Sequence, residues 1–393
     1  MKRKKNRTSA IWDWSGGVVV GVFVWLGWAS AATPWLHADG TVLKDPAGCI
    51  VVLRGVSLID LGGTEKEFGG AIQMIDRLTN RDDPQGSSPG WYPTVIRIPI
   101  YPADEEDYKS PWTFEPGRDD FYEKLLRPVV DYCAAKGLYA IVDWHYIGNT
   151  FDHRQTTRQF WEYMAPRFAG DSHVLFELFN EPINKVGTDE ECWLSVRKDM
   201  QEWVNLVRQY APRTLLLIAG ANYSQIIGPA ADHPIDDPVG GRNYAIVSHI
   251  YPMHWLSENA QWYKDHLLRC VSVHPVFMSE WGFSRSFPHN RIPPATIDNY
   301  GRPLMELTEK YKISTTCWVA SYDWLPKMFN PDWTLRCGPD EMGCFVKDYL
   351  YEKRNDDLPC ESRTEELLLP DFAASAGERQ PSEDNALESA PAD

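Results

Sequence analysis

Residues 121–146, FYEKLLRPVVDYCAAKGLYAIVDWHY, decide the fold. Apolar side chains recur at helical spacing through 121–136, Gly137 stands where a helix would end, and 139–144 is an apolar run broken only by Asp143. A helix, a glycine suited to the left-handed turn after it, and a strand apolar on both faces make one α/β unit. The unit repeats. Strands are expected at 50–59, 95–100, 139–144, 174–179, 214–219, 244–250, 276–279 and 314–320, with helices such as 121–136, 193–210, 296–311 and 342–353 between them. Strands alternating with helices pair in parallel, and eight such units over roughly 300 residues close into a (β/α)8 TIM barrel. A doubly wound sheet is the competing architecture, but no G-x-G-x-x-G follows the first strand. Ahead of that strand, residues 36–43, centred on Asp39-Gly40, read as a small N-terminal β-hairpin capping the barrel bottom.

The two ends read differently. Lys2, Arg3, Lys4, Lys5 and Arg7 precede an uncharged apolar run at 16–28, and Ala29-Ser30-Ala31 offers a small-residue cleavage pattern. Residues 1–31 are therefore expected to be a signal peptide, exporting the chain to the periplasm or medium. An uncleaved anchor is the alternative, although the apolar run is shorter than the ~20 residues a membrane span needs. The folded domain is expected over 32–358. Residues 359–393 form an acidic, disordered tail in this reading, with nine acidic and two basic side chains from Glu361 onward and 367–369 able to dock on the body.

The formal charge of −16 argues against a nucleic-acid partner, whose phosphates demand a basic surface. Without residues 1–31 the chain keeps 34 basic and 54 acidic side chains, a charge of −20, which favours solubility; a monomer with no membrane contact is expected. Seventeen Trp and 13% aromatic residues point either to a large aromatic core or to flat surfaces for a flat ligand. Eight Cys in an exported chain permit disulfides, and Cys337 and Cys344 are the easiest pair to close. Cys133 and Cys317 sit in apolar segments and read as buried free thiols. No two Cys have the C-x2-C spacing of a zinc site, and no metal or cofactor is expected.

In a barrel of this kind chemistry gathers where strands end. Those positions carry Arg97-Ile-Pro-Ile-Tyr101, Asp143-Trp144-His145-Tyr146, Asn180-Glu181-Pro182, His249-Ile-Tyr251, Ser279-Glu280-Trp281-Gly282 and Trp318. Glu181 and Glu280 thus project into one mouth from strands four and seven. Retaining glycoside hydrolysis uses two carboxyl groups about 5–5.5 Å apart, one a nucleophile and one an acid/base. Arg97 can keep one carboxylate charged and Tyr251 can donate to it. His145 and His249 can donate to sugar hydroxyls or to the acid, and Trp144, Trp281 and Trp318 offer faces for pyranose rings.

Each residue alone has a plainer reading. A Glu after a strand is commonly a helix-start charge, a His in an apolar run is commonly a core residue, and His145 with His249 also fits a metal site. Co-location at strand ends favours the sugar reading, and the first strand lacks the His pair of a metal-dependent barrel hydrolase. Glu177, inside its strand, reads as a buried structural partner and not as the acid. Trp91, Trp112, Trp255, Trp262, Trp324 and Trp333 lie in loop-like segments, where they line further subsites or pack helices on the barrel.

Across about 36–352 these residues resemble glycoside hydrolase family 5, a retaining (β/α)8 family of cellulases and β-mannanases. Asn180-Glu181-Pro182 resembles its acid/base motif, Ser279-Glu280-Trp281-Gly282 its nucleophile motif, and Val52-Leu-Arg-Gly-Val56 its opening strand. The resemblance implies Glu280 as nucleophile, Glu181 as acid/base and Asn180 on the hydroxyl at C2. It also implies Arg97 and Tyr251 on Glu280, His145 and His249 on hydroxyls and the acid, Trp318 under the attacked sugar, and a cis Trp318–Val319 bond. The expected substrate is a β-1,4-linked plant-type polysaccharide, cellulose or another β-glucan, cut internally. A β-mannanase, a non-catalytic carbohydrate-binding barrel and a metal-dependent amidohydrolase are the alternatives; two intact glutamates speak against a dead barrel. After Trp318 the sequence Val-Ala-Ser-Tyr-Asp-Trp-Leu-Pro departs from common cellulases.

Overall fold

The computed structural model describes residues 33–103, 112–257, 259–285 and 294–360. The expected signal peptide and all but two residues of the expected tail lie outside them. In chain order the strands are β1 (His37–Asp39), β2 (Val42–Lys44), β3 (Ile50–Val51), β4 (Arg54–Ser57), β5 (Val95–Ile100), β6 (Tyr139–Trp144), β7 (Ile147–Gly148), β8 (Val174–Glu177), β9 (Glu181–Pro182), β10 (Leu216–Ala219), β11 (Tyr244–Ile250), β12 (Val276–Trp281) and β13 (Ser314–Cys317). Eight of them close a parallel barrel in the order β4-β5-β6-β8-β10-β11-β12-β13, and β13 pairs back on β4 through Thr315↔Arg54. The expected (β/α)8 barrel and its N-terminal hairpin are both present.

The hairpin β1–β2 gains a third antiparallel strand, β3, and seals the lower end of the barrel. Leu36, Leu43 and Val51 from this cap share one buried cluster with Leu53, Val95, Tyr139, Leu175, Leu217, Val247 and Phe277 inside the barrel. The alternate residues, Ile96 and Ile98 among them, face outward into the layer between barrel and helices. Each such apolar side chain contributes about 1.5–3 kcal/mol by leaving water. The lower interior is thus filled largely with hydrocarbon, and the charged side chains that point into the barrel, Arg97, Asp143, Glu177 and Glu280, gather at its upper end.

Several boundaries differ from expectation for local reasons. The run 50–59 is not one strand: Ile50–Val51 joins the cap, the Val52 N–H turns to the Asp357 carbonyl, and the barrel strand begins only at Arg54. Gly55 in that strand is obligatory, because a Cβ there would lie 1.8 Å from the Val95 carbonyl oxygen. The helices expected at 121–136 and 296–311 each begin as a wider π turn, Phe121–Leu126 and Ile297–Gly301, before α segments carrying Pro128 and Pro303. A proline has no N–H for the i→i−4 ladder, and the widened turn absorbs the break. Gly137 does take a left-handed φ of 70° at the helix end, as expected.

Cys337 and Cys344 are joined, as expected, and a second disulfide links Cys49 to Cys360. Asp45 accepts the N–H groups of both Cys49 and Cys360, so the chain is fastened to the cap just past the boundary expected at 358. Cys133, Cys192, Cys270 and Cys317 are buried free thiols. Among the described residues no helix is long and apolar enough to cross a membrane.

Candidate active site

One buried guanidinium organises the upper end of the barrel. Arg97, pointing inward from β5, donates from Nη1 to Glu280 (2.8 Å), from Nε to Glu177 (2.7 Å) and from Nη2 to Asn180 Oδ1 (2.6 Å), with Asp143 3.0 Å from Nη2. Glu177, inside β8, is therefore the structural partner the sequence indicated. Burial raises its pKa, but Arg97 and His249 outweigh that and hold it at about 2. Asn180 is oriented by the same guanidinium. With its carbonyl committed to Arg97, its buried Nδ2 has no partner among the described residues and is left to donate to a ligand.

Glu280 reaches this centre because β12 carries a bulge. Val247↔Phe277 is followed by His249↔Glu280, so two steps on β11 face three on β12. Phe277 points in and Met278 out, Ser279 points in, and the extra residue turns Glu280 inward as well. Glu280 Oε2 accepts from the Tyr251 hydroxyl at 2.8 Å. Burial alone would push the Glu280 carboxyl up. His249, Arg97 and His145 with the Tyr251 hydrogen bond outweigh it, and the group stays below the usual carboxylate range. Burial and Glu280 push the Tyr251 phenol well up, so it remains a donor.

Glu181 lies at the head of β9, beyond the end of β8, and is less buried than Glu280. His249 Nδ1 donates to Glu181 at 2.8 Å, while its Nε2 meets Ser279 Oγ at 3.0 Å, and that hydroxyl donates to Glu177 at 2.7 Å. With its proton committed to Glu177, the serine oxygen accepts from Nε2, so both ring nitrogens donate and the ring is an imidazolium. Burial disfavours that charge, but Glu280, Glu177 and Glu181 lift the His249 pKa to about 10. One carboxylate oxygen of Glu181, one of Glu280 and a His249 nitrogen all lie within 4.8 Å of one another. Those three atoms could ligate a cation in principle, but Glu280 already accepts from a guanidinium, whose charge repels one. In the other trio of this kind among the described residues, Asp45, Cys49 and Cys360, the two sulfurs form the disulfide.

His145 donates toward Asp143 through Nδ1 (2.6 Å), and its ring lies parallel to Trp318 with centroids 5.4 Å apart. Asp143 is pushed up by burial and by Glu177 against the pull of Arg97. That direction balances a centre in which Asp143, Glu177 and Glu280 share one guanidinium. Trp324 stands nearly perpendicular to Trp318 at 6.4 Å, on the divergent loop after β13, which Glu67 fastens through Ser321 (2.8 Å). The Trp318–Val319 bond is cis, as the resemblance implied.

Two expected sugar platforms are not in the site. Trp144 is fully buried on the outer face of β6, donating to Thr157 and stacked on Phe160 at 4.2 Å; Trp281 is buried against Phe345. Strand alternation is the reason: with Asp143 and His145 inward, Trp144 must face out, and with Glu280 inward so must Trp281. Of the loop tryptophans, Trp91 donates to buried Asp83, Trp112 covers Gly62, Trp255 is buried, Trp262 donates to Asp189 and Trp333 packs on Phe68. Only Trp324 among these six adjoins the site. Asp143 and Ser279, quoted at the strand ends but given no role there, are members too; unforeseen are Asn222, Tyr223 and Ser224, three consecutive left-handed residues in the loop after β10. There Ser224 Oγ donates to the Asn180 carbonyl. Left-handed non-glycine backbone is costly and persists where the surroundings impose it.

A family model of cellulase (glycosyl hydrolase family 5) matches residues 80–323. Endoglucanase E-5 of Thermobifida fusca is 26% identical over 306 residues, covering 76% of this chain and 59% of that protein. Endoglucanase MaCel5A of Microbulbifer sp. is 24% identical over 294 residues, covering 73% and 51%. The chain thus spans about half to three fifths of the length of these curated relatives. Among solved structures, β-glucanase SdGluc5_26A from Saccharophagus degradans aligns with a TM-score of 0.68 at 23% identity, covering 81% of this chain and 94% of that one, and has also been crystallised with cellotetraose. The mannotriose complex of a Thermomonospora fusca β-mannanase aligns at 0.59 and 15% identity, covering 82% and 98%. At such identities the structures establish the fold.

Proposed function

The chain belongs to glycosyl hydrolase family 5, and from that premise we propose that it hydrolyses β-1,4-linked glucan internally, by a retaining double displacement, with Glu280 as nucleophile and Glu181 as acid/base. The observation that carries this is the separation of the two carboxylates, with oxygens within 4.8 Å. Retaining chemistry uses a gap of about 5–5.5 Å, whereas inversion needs about 6.5–9.5 Å to seat a water.

The roles follow from the neighbours. Glu280, kept ionised by Arg97 and His249 and aimed by Tyr251, attacks the anomeric carbon. Glu181, the more accessible carboxyl, delivers its proton to the departing oxygen and then takes one from the water that releases the sugar. His249 donates to Glu181 once it has given up that proton, so the carboxylate formed in the first step is stabilised. Asn180 Nδ2 is placed to hold the hydroxyl at C2 of the attacked sugar. Trp318, with His145 behind it, floors that sugar. Endoglucanase relatives support a glucan as substrate. The N-terminal pattern of residues 1–31 and two disulfides support export to an oxidising compartment. Nothing in the proposed chemistry requires a second subunit.

Reducing-sugar release from carboxymethyl cellulose, mixed-linkage β-glucan, mannan and xylan tests the substrate. Turnover on the glucans at least about tenfold above mannan and xylan, a difference of about 1.4 kcal/mol, is the expected result. A mannan preference would move the assignment to a β-mannanase with the same machinery.

A further inference from the structure

A cavity of about 800 Å³ lies away from the mouth of the barrel, and its walls hold none of the candidate active-site residues. Ile297, Met305, Phe345 and Tyr349 line it, between the helices Arg302–Tyr311 and Met342–Glu352. Ile297 and Phe345 are only half-buried, so apolar surface stays open between two helices whose other faces pack on the core. Apolar surface gathered in a concavity of this size marks a contact. Two charges on the wall are also unmatched: among the described residues neither Arg302 nor Glu306 has an ion-pair partner.

The end of the described chain stands beside this cavity. Asp357 meets Arg54 at 2.9 Å, and the same guanidinium holds Glu309, a residue of the cavity wall, at 2.8 Å. Three residues further on, Cys360 is fastened to Cys49. The sequence leaves from there as Glu361-Ser-Arg-Thr-Glu-Glu-Leu-Leu-Leu-Pro370. Leu367 follows Cys360 by seven residues, which span at most about 25 Å. The wall from Glu309 to Arg302 is about 10 Å of helix, so the leucines can reach any part of it. Leu367–Leu369 is the one run of large apolar side chains in residues 361–393. Its neighbours carry the charges the wall lacks: Arg363 matches Glu306, and Glu365 and Glu366 match Arg302.

We propose that residues 363–369 return along this groove and fill it, with Leu367–Leu369 against Met305 and Phe345, Arg363 on Glu306, and the acidic pair on Arg302. The tail then straps the last two helices together on the side that the Cys337–Cys344 disulfide also borders, and it leaves the mouth open. Nothing in this docking depends on the glycosidase assignment.

Hydrogen exchange of the full, oxidised chain, followed by mass spectrometry, tests it. The amides of 366–369 should exchange at least about tenfold more slowly than those of 380–390. That protection should disappear in Leu367→Ser/Leu369→Ser. It should fall about threefold in Arg302→Glu and return when Glu365→Arg/Glu366→Arg is added. In protein labelled at the methionine methyls, the Met305 signal should move in the leucine variant. Exchange at 366–369 as fast as at 380–390, or a Met305 signal that does not move, overturns the proposal. Protection that survives the leucine and charge variants, or that depends on protein concentration, gives the groove to another segment or to a second copy and overturns it too.

Discussion

At Glu280 burial and neighbouring charge pull in opposite directions, and the charges win. Its Tyr251 hydrogen bond can be removed without disturbing Arg97. A hydrogen bond to a charged group is worth about 1.5–3 kcal/mol, so Tyr251→Phe raises the Glu280 pKa toward its ordinary value. Because the proposed nucleophile must be ionised, the acid limb of kcat/KM moves to higher pH in that variant. An unchanged limb in the pH–rate profile would show that Tyr251 does not govern this carboxylate. Glu181, Glu280, Arg97 and Asn180 were legible in the sequence because charged and amide side chains rarely end apolar strands unless a ligand or a buried charge needs them there. Ser279 and Asp143 were not, since a small hydroxyl and an acid beside a named motif residue look like filler until His249 and Arg97 are seen to need them. Trp144 and Trp281 were misplaced for the opposite reason: they sit within the motifs, but alternation turns them to the outer face.

The elements were legible where period and punctuation agreed. Strands 95–100, 139–144 and 244–250 match the structure at both ends. The helix expected from 193 instead begins at Asp189, behind a Thr188/Glu191 capping box visible in the sequence as Thr-x-x-Glu. The bulge in β12 has no such signature, because it is defined by pairing with β11 and not by the residues that carry it. Strand one owes its glycine to a neighbour in the same way. Gly55→Ala drives a methyl into the Val95 carbonyl, and overpacking of this kind costs about 1–3 kcal/mol, so thermal unfolding shifts down by several degrees. A variant that unfolds at the unsubstituted temperature would mean that β4 and β5 separate more readily than their register implies.

Across the whole molecule, the barrel separates a hydrocarbon lower half, closed by the hairpin, from a charged upper half where a single guanidinium orders the chemistry. The aromatic excess that opened two possibilities divides unevenly: most of the tryptophans discussed pack helices on the barrel, and Trp318 with Trp324 remain at the mouth. The Cys49–Cys360 bond joins the cap to the end of the described chain and closes a loop with a sequence separation of 311. Crosslinks over long loops restrict the unfolded chain most, so Cys360→Ser lowers stability by about 2–5 kcal/mol, read from denaturant unfolding of the oxidised protein. No loss would place the anchoring in Asp45 and in the Arg54–Asp357 ion pair instead.

The central claim is that Glu280 forms the bond to the sugar. Glu280→Ala, given an aryl β-cellobioside and sodium azide, tests it directly by NMR of the product. Azide taking the vacated place on the α face should restore turnover and yield the α-cellobiosyl azide. Full activity without azide, or a β-configured azide product, would contradict the assignment.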